Sequence, residues 1–165
     1  MRVRDRLVRI LYWYNVVSMA IWVGGTVYQM LVIVPLWSAS PPESLTAFFH
    51  GTQFMAMIPR FFGPRTMMAR VAPIVLLLVL DWPSRTRRAW LIGAVASVAI
   101  GLAMTLLWIY PINDVLFWRA GEGVPADEVR ALVTRWVLLD RTRFALMALG
   151  YLALLRAFSL SERAT

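Results

Sequence analysis

From Ile10 to Trp37 the chain runs for 28 residues without a charged side chain. Crossing the hydrocarbon core of a bilayer takes roughly 20 predominantly apolar residues in a helix, and a soluble domain of 165 residues has too small an interior to hide such a run. Lipid must therefore be the solvent. Composition agrees, with 60% hydrophobic residues, 16% charged ones and a mean hydropathy of +0.65, outside the usual range of soluble domains. The run is too long for a signal-peptide core and passes into Pro35, Trp37 and the Pro41-Pro42 pair without a convincing cleavage site. It reads as a retained helix.

Three further spans are expected. Ala89 to Ile112 holds 24 uncharged residues. Val71 to Leu80 is shorter, but Arg70 can snorkel at one end while Asp81, Trp82 and Pro83 mark the other interface, giving a span over 64–82. The last span joins the apolar Phe144 to Leu155 with a start near Trp136, so that Asp140, Arg141 and Arg143 lie at or just inside one interface of a helix over 134–156. The expected architecture is an all-α integral membrane four-helix bundle. Its spans are 10–37, 64–82, 89–112 and 134–156, in a single domain over 1–165 without internal repeats.

All 17 basic residues are Arg, and they flank the apolar runs instead of forming one basic face. The net charge of +8 therefore speaks for membrane topology and against nucleic acid. Arg2, Arg4, Arg6, Arg9, Arg85, Arg87, Arg88, Arg156 and Arg163 fall on one side, against Arg60, Arg65, Arg119 and Arg130 on the other. The positive-inside rule then puts both termini in the cytoplasm and the chain in a cell inner membrane, among membrane lipids. With no Cys, disulfides, iron-sulfur clusters and thiolate chemistry are excluded.

The two outer connections are longer than bundle loops usually are. In the first, Ser40, Pro41, Pro42 and Glu43 read as an N-cap, first-turn prolines and a capping-box acid. Leu45, Phe49, Thr52 and Ala56 follow at helical spacing, which predicts an additional interfacial helix between helices one and two, ended by Pro59 and Gly63-Pro64. In the second, Asn113 to Pro125, the sequence Pro125, Asp127, Glu128 marks a helix start, so the last helix should protrude above the bilayer.

Polar residues tell which faces point inward, because exposing them to lipid is costly. Asn15, Ser18, Trp22, Gly25 and Gln29 form one stripe on the first helix. Gly93, Ser97 and Gly101, continued by Thr105 and Trp108, form a packing seam on the third. Trp136, Asp140 and Arg143 share a face of the last helix, the acid and the base spaced to pair. Such a pair is either a functional group or a structural device that fixes helix rotation. Asn113, at the outer end of the third helix, lies at the same expected depth. His50, the single histidine, stands a turn before Gln53 and near Met57. Three readings stay open for it: an axial haem ligand, a proton donor, or no chemistry at all. One histidine cannot build a zinc site, and no metal is expected.

Walker loops, dinucleotide fingerprints, HExxH pairs and serine-nucleophile motifs are absent from the sequence. A secondary transporter is disfavoured, since inverted repeats are lacking. Three local patterns do carry a resemblance: Trp22-Val23-Gly24-Gly25 running to Pro35, Pro111-Ile112-Asn113, and Trp136-x3-Asp140-x2-Arg143. They are similar to patterns in the DUF1772, or anthrone oxygenase-like, family of small four-helix membrane proteins; the Gly-Gly segment alone also resembles CopD-like proteins. The family resemblance implies an oxygenase that takes a phenolic polycycle to the quinone with molecular oxygen and without a cofactor. In such a scheme a flat hydrophobic or quinone-like ligand stacks on Trp22 or Trp136, with Gln29 on the same polar stripe. Asn113 and Arg143 hold its oxygens, and Asp140 or His50 takes the phenolic proton. The competing expectation is a non-catalytic subunit of a larger membrane complex, or a protein that binds lipid, quinone or haem.

Overall fold

In the computed structural model, residues 3–50, 53–119 and 122–162 are described, and among them there are helices and no strands. Four stretches are long and apolar enough to cross a membrane: Val3–Ser38, Ala56–Leu80, Arg85–Trp118 and Ala126–Glu162. We number the helices α1 (Val3–Ser38), α2 (Glu43–His50), α3 (Phe54–Phe62), α4 (Pro64–Leu80), α5 (Arg85–Trp118) and α6 (Ala126–Glu162). The fold is an all-α bundle. Its outer faces carry side chains such as Leu107, Leu149 and Leu152, each more than half exposed, which suits lipid and not water.

The helices outrun the spans read from the sequence. Helix α1 already begins at Val3, because Arg4 and Arg9 bond to Leu80 O (3.1 Å) and Glu162 (3.2 Å) across the bundle end. Helix α5 continues through Asn113 to Trp118, where a connection was expected, because Leu116 and Phe117 are buried against the rest of the bundle. The 37 residues of α6 extend about 55 Å at 1.5 Å per residue, well beyond a hydrocarbon core of about 30 Å. The expected interfacial helix is two helices, α2 and α3. Phe54 packs on Phe48, with ring centroids 5.1 Å apart. At the start of α2, the Ser44 hydroxyl accepts from Ser40 N–H (3.0 Å) and donates to Trp37 O (2.8 Å). Ser44 thus does the work expected of Glu43 in a capping box. Thr52, expected on the same helix face, lies outside the described residues.

Three intramembrane prolines shape the bundle. Pro73 has no N–H, so it leaves the Ala69 carbonyl without its helical partner; Tyr14 OH from α1 donates to that oxygen at 2.8 Å. The Asn15 amide adds a bond to Pro73 O at 3.1 Å. Pro35 and Pro111 each follow a π-helical turn, Gln29–Ile33 and Thr105–Ile109. Each π turn accommodates an extra residue just where the proline would otherwise break the ladder.

At the end where the termini meet, Asp81 is 3% exposed. Arg87 grips it with two bonds of 2.6 and 2.7 Å, and Tyr12 OH donates to it at 2.8 Å. Asp81, read from the sequence as an interface marker, directly follows the apolar stretch Ala56–Leu80 and forms a buried clasp between α1, the α4–α5 turn and α5. Arg70 folds over Phe61 and Trp22, 4.6 and 5.4 Å from the ring centroids, and donates to Phe61 O at 2.8 Å.

The seam of α5 packs on α6. A Cβ on Gly150 would lie 3.0 Å from Ser97 Cβ and 3.4 Å from Ala94 O, so the backbones touch as in small-xxx-small pairs. Gly150→Val is expected to cost about 1–3 kcal/mol by overpacking, read as a lower midpoint in thermal unfolding of the detergent-solubilised protein; an unchanged midpoint would contradict this close approach. Trp108 does not continue the seam. It is 46% exposed while Ile109 is 1% exposed, because the π turn Thr105–Ile109 shifts the helical phase by a residue.

Candidate functional site

Side-chain contacts fix the register of the helices. Arg9 meets Glu162, the Trp13 ring meets Phe158 and Trp37 meets Trp136, so α1 and α6 run antiparallel. Along α5 and α6, Ser97 meets Gly150, Thr105 meets Arg143 and Asn113 meets Trp136. Gln29 therefore lies at the level of Arg143 and Thr105, Trp22 at the level of Gly150, and Trp37 at the level of Trp136 and Asn113.

Between these helices lies a cavity of about 450 Å³, within the size range of small-molecule sites. Its α5 wall is unusual: Gly101, Thr105, Ile109, Asn113 and Phe117 all line it at steps of four. A regular α-helix of 3.6 residues per turn would carry such a series around its axis. The π turns Thr105–Ile109 and Asp114–Trp118 take up the drift and keep the series on one side.

At the end formed by Trp37, Phe49, Phe117 and Trp136 the wall is aromatic. Trp37 stands edge-on to Trp136 and Phe117, with centroids 5.1 and 5.4 Å apart, and Phe49 lies 4.7 Å from Phe117. The Trp136 indole N–H donates to Asn113 Oδ1 at 2.6 Å. With its carbonyl so occupied, Asn113 has its amide NH2 to offer a ligand.

Midway along the cavity stands Arg143. Its Nη1 donates to Thr105 Oγ1 at 3.2 Å and its Nη2 to Asp140 Oδ1. Asp140 is 1% exposed, is not on the cavity wall, and has no partner for Oδ2. Thr105 in turn donates to Gly101 O at 2.8 Å. The guanidinium is thus fixed on two sides, and its remaining N–H groups are left for a ligand oxygen.

Of the residues singled out from the sequence, Trp22, Gln29, Asn113, Trp136 and Arg143 line this cavity, and Asp140 stands directly behind Arg143. His50 is not brought there. It ends α2 with half its side chain exposed, and its Nε2 lies 3.7 Å from Glu122 Oε1. Among the described residues no group of three or more His, Cys, Asp or Glu could hold a metal ion. Thr105, Trp37 and Phe117 were missed as site residues. The sequence signal for Thr105 was its place on the seam; for Trp37 and Phe117 there was none, because π turns set their direction.

These features define a multi-pass membrane protein whose helices enclose an aromatic cavity with one anchored guanidinium on its wall. The model of the anthrone oxygenase family matches residues 54–153, more than half of the chain. The protein belongs to that family. The match takes in Asn113, Trp136, Asp140 and Arg143 and leaves out α1 with Trp22 and Gln29. No curated protein and no solved structure matches the chain.

Proposed function

We propose that the protein is a cofactor-independent oxygenase that converts a flat phenolic substrate of the anthrone type to the corresponding quinone. The observation that carries this reading is the Arg143 guanidinium, held by Asp140 and Thr105 on the wall of a cavity with an aromatic end. There, away from bulk water, a fixed cation stabilises a developing oxyanion far more than it would in solution.

The ring system lies among Trp37, Phe117 and Trp136, and its oxygen accepts from Arg143 and the Asn113 amide. A proton leaves the ring carbon for the unpartnered Oδ2 of Asp140, relayed past Arg143 by water, and Arg143 holds the resulting anion. The electron-rich carbon then adds molecular oxygen, and the peroxide anion takes that proton back to become a hydroperoxide. Loss of water breaks the O–O bond, leaving one oxygen atom in the new ketone and the other in the water released. The ring carbon gives up its two hydrogens, and O2 is the oxidant. By the positive-inside rule the aromatic end faces away from the cytoplasm and the Asp81 end, with both termini, faces it; a cell inner membrane is the setting we infer.

Oxygen uptake by the purified protein with an anthrone-type phenol tests this reading. One O2 is expected per quinone formed, well above autoxidation without protein. Uptake no faster than that background would overturn it.

A further inference from the structure

The cavity has two limbs of different chemistry, and Arg143 stands where they join. Beyond Arg143, away from the aromatic end, the register places Val71, Val98, Leu102 and Met147, with Trp22 at the far end and Ser97 as the polar exception. Seven residues of α1 separate Gln29 from Trp22, which makes this limb about 10 Å long at 1.5 Å per residue. Its walls from α5 and α6 are aliphatic and thioether side chains, with the Trp22 indole at its far end, whereas the other limb is walled by indoles and phenyl rings. A flat ring seated between Trp37, Phe117 and Trp136 with its oxygen on Arg143 leaves the aliphatic limb unfilled. An apolar void of that kind is poorly hydrated and costs packing energy until something apolar enters it.

Gly101 and Arg143 both line the junction of the limbs and pack against each other: a Cβ on Gly101 would make an ordinary contact with Arg143 Cγ at 3.7 Å. The passage between the limbs therefore runs beside this contact.

Resting on the reading above, we propose that the ligand is amphiphilic: a phenol or quinol ring in the aromatic limb, carrying a short alkyl or prenyl tail that passes Arg143 and fills the Val98–Leu102–Met147 limb. The polar head is then at the junction and both ends of the molecule are apolar. A tailless polycycle would use only part of the site.

Photolabelling of the wild-type protein in lipid nanodiscs tests this. The probe is a decyl hydroquinone with a diazirine at the end of the tail, compared with a phospholipid bearing the same label at its chain end. Adducts are expected on Val98, Leu102 or Met147 with the hydroquinone probe. They should be competed by unlabelled decyl hydroquinone and cut about tenfold in Val98→Phe, the equivalent of ~1.4 kcal/mol of lost space. The competition arm needs no variant, so misfolding of Val98→Phe leaves the test standing. Adducts confined to outward-facing residues such as Leu107 or Leu149 would overturn the proposal, as would equal labelling of the limb by the phospholipid probe. Tryptophan quenching by an untailed hydroquinone separates the two claims. If the ring quenches while the tail labels only the exterior, the tailed ligand is wrong and the phenol site survives; if neither ring nor tail binds, both fall.

Discussion

Arg143→Leu is expected to abolish oxygen uptake and at the same time to destabilise the protein by about 3–5 kcal/mol, the usual result of leaving one member of a buried ion pair without its partner. Asp140 is nearly inaccessible, and Arg143 supplies the cation that compensates its charge. The double replacement Asp140→Leu/Arg143→Leu is expected to regain most of the lost stability, since two apolar side chains can fill the same space without stranding a charge. It should regain none of the activity. Thermal unfolding in detergent and oxygen uptake per folded molecule, measured on all three proteins, separate the pair's structural role from its chemical one. Full activity in the double variant would show that the pair only fixes helix rotation, and a single variant as stable as wild type would show that the charge is not confined.

At the opposite end of the bundle Asp81→Ala is expected to cost a similar amount, about 3–5 kcal/mol. Arg87 and Tyr12 both direct their donors at this carboxylate, and removing it leaves a guanidinium and a phenol to desolvate without an acceptor. Tyr12→Phe, which takes away a single donor from a carboxylate still held by Arg87, should cost only about 0.5–1.5 kcal/mol. Because the Asp81 side chain is 4% exposed, raising the salt concentration should leave these losses nearly unchanged, unlike those of a surface pair. Activity per folded molecule should stay at the wild-type level, since none of the three residues lines the cavity that holds Arg143. A loss of activity without a loss of stability would contradict that separation.

Much of this molecule was legible from hydropathy and spacing. The four apolar helices follow from uncharged runs, and the pairing of Asp140 with Arg143 follows from a three-residue step on one helix face. The contact of the Gly93, Ser97, Gly101 seam with a neighbour follows from the absence of side chains. Asn113 was identified by its depth, and the indole of Trp136 does bond to it. What escaped had a common cause. Sequence periodicity assumes one helical pitch, and the π turns before Pro35 and Pro111 break that assumption, so Trp108 was placed on the inner face where Ile109 stands. Phe117 was assigned to a loop because Asn113 and Asp114 look like the end of a span, although the helix carries on for another turn. The clasp at Asp81 joins residues 69 positions apart in sequence, a distance at which no local pattern speaks. His50 drew notice as the single histidine, and scarcity proved to say nothing of location.

The four-residue ladder on α5 also sets the direction of travel for whatever enters. A face that follows the ordinary helical repeat winds around its neighbour, and a molecule sliding along it must turn as it goes. The rungs from Gly101 to Phe117 stand one above another, so the channel they border runs straight along the helix axes, parallel to the acyl chains outside. An elongated ligand in that channel would lie parallel to the acyl chains.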